Sequence, residues 1–174
     1  RRSEMATLHS LLPAGGEPPA GVPLWIVSGA AGVGKTSLAV RFGHQIRDRF
    51  PDGQLFLDLR GFHAGPSVGP AEALPLLLAA LGVPAERMPV SLDAQVALYR
   101  STVADRRVLL VLDNVADPQQ VRPLLPGGPG SLVLVTSRDR LGGLVARDGA
   151  RPLGLDVLNP DDAVALLVRV LGPE

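Results

Sequence analysis

The chain has 174 residues, 46% hydrophobic and 3% aromatic, enough for one domain whose core is built from Leu, Val, Ile and Ala. Seventeen basic residues balance seventeen acidic ones, so the electrostatic footprint of a nucleic-acid-binding domain is missing here, and DNA contact is expected only through domains outside this stretch. The absence of cysteine excludes a disulfide framework and thiolate metal sites and suits a cytoplasmic setting; no apolar run reaches membrane-spanning length, and the start lacks the apolar region of a signal peptide.

Residues 1–12 carry Met5, Leu8, Leu11 and Leu12 on one helical face, which predicts a short N-terminal helix. Residues 13–23, with four prolines and three glycines, read as a loop or linker. Next comes LWIVSGAAGVGKTS, residues 24–37. An apolar run over 24–27 gives way to Gly29, Gly32 and Gly34, then to Lys35, Thr36 and Ser37, then to the periodic Leu38, Ala39 and Phe42. That order is strand, phosphate loop, helix.

A triphosphate must be met by converging main-chain N–H groups, and glycines let a loop wrap closely because they tolerate positive φ. Gly29, Ala30, Ala31, Gly32, Val33, Gly34, Lys35, Thr36 and Ser37 are the expected nucleotide-binding residues, and 29–36 fits G-x-x-x-x-G-K-[ST] in full. The following helix start adds unpaired donors and a positive dipole end. Lys35 is expected to reach the β and γ phosphates and the Thr36 hydroxyl to ligate Mg²⁺. Lys35 is also the only lysine among the 17 basic residues, so an ammonium persists where a planar guanidinium would not fit the cradle.

The helix after the loop is predicted over 36–50, with Pro51, Asp52 and Gly53 as its stop and turn. Residues 54–59, QLFLDL, alternate apolar and polar and predict a strand near the sheet edge. Loop follows over 60–69, then a helix over 70–81 in which Pro75 is tolerable only near the first turn. Residues 82–90 break the chain, and Ser91 is the expected N-cap of a helix bearing Leu92, Val96, Leu98 and Val103. VLLVL at 108–112 suits a central parallel strand covered on both faces. Asp117-Pro118 starts a short capped helix closed by residues 126–128, and 132–135 is another central strand. Residues 152–155 supply a fifth strand, and Asn159-Pro160 caps a helix over 161–171. Strands alternating with helices predict an α/β fold with right-handed crossovers and a parallel sheet, its ligands at the carboxyl ends of the strands.

Asp113 ends an apolar strand, where an acid can hold Mg²⁺ opposite the loop hydroxyl; a turn-forming Asp is the alternative. Many P-loop ATPases carry a second acid in the next position, and Asn114 stands there instead. An amide orients water but cannot act as a base, so slow hydrolysis is expected and Asn114→Asp should raise turnover; a plain turn cap is the competing reading. Arg138, three residues past the 132–135 strand, is the expected sensor of the third phosphate. His9, His44 and His63 show no metal-ligand spacing.

Arg1-x-x-Glu4, the loop at 29–36, FPDGQLFLDLRGF at 50–62, VLDNV at 111–115, LVLVTSRD at 132–139 and LxxLNPDDAVALL from Leu155 together resemble the NB-ARC branch of the STAND P-loop NTPases. FPDGQLFLDLRGF and VLDN with VRPLLPG look like the ATPase module of SARP-type transcriptional regulators, the antibiotic regulatory protein family. The resemblance implies a three-layer P-loop NTPase fold with a five-stranded parallel sheet, in which the strand before Arg138 lies between the loop strand and the Asp113 strand. It implies an N-terminal helix and loop over 1–22 and a nucleotide-binding domain over 23–174, cut before the GLPL-containing helical subdomain, as if from a longer chain. It further implies an ATP/ADP switch with slow Mg²⁺-dependent ATPase activity in a cytoplasmic transcriptional regulator, with nucleotide-dependent self-association of the full-length protein. A STAND signalling or defence ATPase with other flanks is the alternative. A metabolite kinase also shares the loop, but the sequence offers neither an acceptor site nor a basic lid.

Overall fold

The computed structural model describes residues 1–12 and 21–172, so most of the loop expected over 13–23 lies outside the described residues. Five strands form one parallel sheet: β1 (Leu24–Ser28), β2 (Gly53–Asp58), β3 (Val108–Asp113), β4 (Leu132–Ser137) and β5 (Arg151–Gly154), in the order β2-β3-β4-β1-β5. Every residue of β1, β3 and β4 is buried, as unbroken apolar runs between two helical layers should be. β2 and β5 are the edges: β2 alternates and leaves Phe56 half exposed, and β5 tolerates Pro152 because an edge strand need not use every N–H.

Helices α1 (Arg2–Leu11) and α2 (Lys35–Ile46) cover one face, where Leu8, Trp25, Val27, Phe42, Val111 and Leu134 pack together. Helices α3 (Pro70–Ala80), α4 (Leu92–Val103), α5 (Pro118–Val121) and α6 (Gly142–Asp148) cover the other, around Ile26, Leu74, Leu78, Tyr99, Leu110 and Val133. Successive strand residues feed opposite clusters, which is the period of two that makes three layers from one sheet. The expected caps form: Ser91 Oγ accepts from Ala94 N at 3.3 Å, Asp117 and Gln120 complete a capping box, and Asn159 Oδ1 accepts from Asp162 N at 2.7 Å to start α7 (Pro160–Leu171).

Four local expectations need correction. The helix after the loop begins at Lys35 and ends at Ile46, its last part tightened into a 3₁₀ turn at Arg47–Arg49. Pro75 sits in the second turn of α3, beyond the first-turn position expected; the carbonyl it leaves without a helical donor belongs to exposed Ala71, where water can reach it. The inward face of α4 is Gln95, Tyr99 and Val103, while Leu92 is exposed. Helix α6 was not expected at all; it is short, starts on two glycines and is anchored by buried Leu141 and Leu144. In α7 no residue is buried, and Val164, Leu166, Leu167, Val168, Val170 and Leu171 are all at least half exposed.

Candidate functional site

The carboxyl ends of β1, β3 and β4 meet beside the N-terminus of α2, because β4 is hydrogen-bonded between β1 and β3. The loop between β1 and α2 is pinned at its base: Gly29 N donates to Ser137 O (3.3 Å), and Leu155 N donates to Ser28 O (2.7 Å). A Cβ on Gly29 would lie 2.3 Å from the Leu155 carbonyl oxygen, so only glycine passes there. Gly32 and Gly34 have φ of 75° and 95°, the left-handed conformation that turns the chain into the helix.

Lys35 opens α2 and is 7% exposed. Its Nζ donates to the carbonyls of Gly29 (2.9 Å) and Ala30 (2.7 Å), closing the loop on itself. Burial lowers its pKa, the positive charge of Arg138 lowers it further, and Asp113 partly opposes both. Thr36 Oγ1 reaches Asp113 Oδ1 and Oδ2 at 2.8 and 3.0 Å, so helix and strand meet through a hydroxyl and a carboxylate. Among the described residues no cluster of three or more His, Cys, Asp or Glu is poised for a metal. One hydroxyl and one carboxylate are nonetheless the donor set that fits magnesium, which takes few protein ligands and fills the rest with phosphates and water.

The sequence-predicted residues therefore gather, and three further side chains join them. Thr136, fully buried, donates its hydroxyl to Asp113 Oδ1 and accepts from Asn114 N at 3.1 Å. Asp58 lies opposite Asp113 across β2 and β3. Arg1 Nη2 donates to Val33 O in the loop at 2.8 Å while its Nη1 holds Glu4 at 2.8 Å. Burial would raise the Glu4 pKa, but hydrogen bonds from Arg1, its own backbone and Ser3 outweigh that and hold it at about 2. Arg138 is exposed, with its guanidinium over the Phe62 ring at 4.9 Å from the centroid. Asp58 ends β2 in the structure, whereas the strand expected over 54–59 leaves it one residue inside, as one polar position of an alternating run. Nothing local marks Thr136, whose role depends on the order of the strands.

No family model matches the chain. Over 148 residues, 85% of its length, it is 49% identical to the regulatory protein AfsR of Streptomyces griseus and 47% identical to that of Streptomyces coelicolor. It spans only 15% and 14% of those proteins. Among solved structures it resembles Cdc6p from Pyrobaculum aerophilum (TM-score 0.70, 17% identity) and the Aeropyrum pernix ORC1 protein in complex with DNA (0.66, 18%). Each likeness covers 97% of this chain and 48% of the other, and shows a shared fold.

Proposed function

We propose that this chain, a SARP-like module with the P-loop NTPase fold, binds ATP and ADP and acts as the slow, nucleotide-operated switch of a larger regulator. The observation that carries the reading is the Thr36–Asp113 contact at the mouth of the loop, beside a buried ammonium that already bonds two oxygens. On this reading phosphate oxygens take over from the Gly29 and Ala30 carbonyls as partners of Lys35, relieving a buried charge with anions. The amides of 29–37 face the phosphates, and Thr36 and Asp113 hold magnesium. When bound, that ion spreads the charge of the β and γ phosphates. Arg138 reads whether the third phosphate is present.

The finer assignment to the NB-ARC branch of the STAND NTPases rests on the motif strings from Arg1 to the α7 region. Function within a cytoplasmic transcriptional regulator, DNA contact through its other domains and nucleotide-dependent self-association belong to the same proposal. It is supported by the AfsR relatives, by the even charge of this chain, and by the described helices, none of which is long and apolar enough to cross a membrane.

The test is nucleotide affinity. Lys35→Ala removes a charge-assisted hydrogen-bond donor worth about 1.5–3 kcal/mol, so ATP and ADP should bind roughly 10- to 100-fold more weakly by calorimetry. Equal affinity in the two proteins would overturn the reading.

A further inference from the structure

We propose that Asp58 is a positioning residue for hydrolysis, locking the Asn114 amide so that its carbonyl oxygen faces the attacking water. The inference rests on the nucleotide-hydrolysis reading above. Asn114 Nδ2 lies 3.0 Å from Asp58 Oδ1 and 3.2 Å from Asp113 Oδ2. Both acceptors are carboxylate oxygens, which cannot donate, so only the amide N–H₂ can face them and Oδ1 is turned away.

The backbone reinforces this setting. Arg60 and Asn114 are both left-handed, with φ of 51° and 56°, a conformation uncommon outside glycine that asparagine enters more readily than arginine. Arg60 N donates to Asp58 Oδ1 at 2.9 Å, and Gly61 N donates to Asn114 O at 2.8 Å. A Cβ on Gly61 would fall 2.5 Å from that same oxygen, so the ends of β2 and β3 are stitched at a distance only glycine permits. The carboxylate that many P-loop ATPases carry directly after the metal-holding acid thus has a counterpart one strand away, linked to the amide in its place.

In the step itself, the water oxygen bonds to the terminal phosphorus as the bridging P–O bond breaks. The electron pair of that bond leaves with ADP, and the water protons end on product phosphate and solvent. Asn114 has only to accept a hydrogen bond from the water. The arrangement also revises the expectation that Asn114→Asp speeds turnover: alone, that change sets a third carboxylate against Asp58 and Asp113.

Four variants test this at one fixed pH, by ATP turnover, ATP affinity and melting of the nucleotide-free protein. Asp58→Ala should lower turnover about 10- to 100-fold with ATP affinity within about twofold. Asp58→Asn keeps an acceptor for the Asn114 amide and should stay within roughly threefold of the original turnover. Asn114→Asp should melt roughly 2–4 °C lower and turn over no faster, whereas Asp58→Asn with Asn114→Asp should recover most of that melting loss. The inference is overturned if Asp58→Ala turns over normally, if Asp58→Asn is as impaired as Asp58→Ala, or if the swap melts no higher than Asn114→Asp. A protein that binds ATP through Lys35 but never cleaves it also ends this inference, while leaving the binding reading intact.

Discussion

Lys35 and Arg138 repel one another across the site, and each has found a neutral partner, the first two carbonyl oxygens and the second an aromatic ring. An exposed guanidinium over a phenyl ring is worth about 0.5–1 kcal/mol, less than a charge-assisted bond to a phosphate at about 1.5–3 kcal/mol. A third phosphate within reach should therefore draw Arg138 off Phe62. Arg138→Ala is expected to cut the preference for ATP over ADP by roughly tenfold in competition titrations; an unchanged preference removes the sensing role. At this scale the sequence was most informative where residues sit at fixed spacing along one loop, from Gly29 to Ser37. Asp113 was legible from its strand end. Asp58 is masked by the alternation of its edge strand, where an inward-outward pattern accounts for an acid, and Thr136 joins the site only because β4 threads between β1 and β3.

Helix α1 is held to the loop between β1 and α2 by the Arg1 guanidinium, itself braced by Glu4. With the folded Glu4 pKa at about 2 against an ordinary 4.5, its stabilising share is complete above pH 4.5 and drains away as pH falls toward 2. Protection of the α1 amides, taken relative to the intrinsic exchange rate at each pH, should fall across that window, and Glu4→Gln should flatten the dependence; parallel slopes in the two proteins would contradict the brace. Other elements explain where sequence patterns stop working. Tyr99 and Gln95 look polar, yet they form the buried seam of α4, and among the described residues Tyr99 Oη and Gln95 Oε1 find no hydrogen-bond partner. Burial alone drives the Tyr99 pKa upward. Helix α6 leaves no clear pattern in the sequence because Gly142 and Gly143 are poor helix formers, and its existence depends on Leu144 reaching the core.

As a whole the molecule follows its apolar runs: three β-rich stretches make the buried middle of the sheet, and the alternating 54–59 stretch makes an edge. The order of the strands does not follow from periodicity; the family resemblance implied β4 at the centre, and the structure has it there. Helix α7 departs from this economy by leaving an apolar stripe in solvent at the end of the described chain. Exposed contiguous apolar surface promotes association. Leu167→Glu with Val170→Glu should raise the solubility limit of the 174-residue chain while its melting temperature stays within about 2 °C, since neither side chain is buried; a clear drop in melting would mean that the helix packs on the domain.

A chain with sixteen arginines and one lysine offers chemistry a single side-chain primary amine, lodged 7% exposed at the mouth of the loop. Acylating reagents that ignore guanidinium groups therefore have one internal address to modify, and a protease that cuts after lysine has one bond to cleave. The mass gained at that residue, or the two fragments released, would register the opening of this loop without any engineered label.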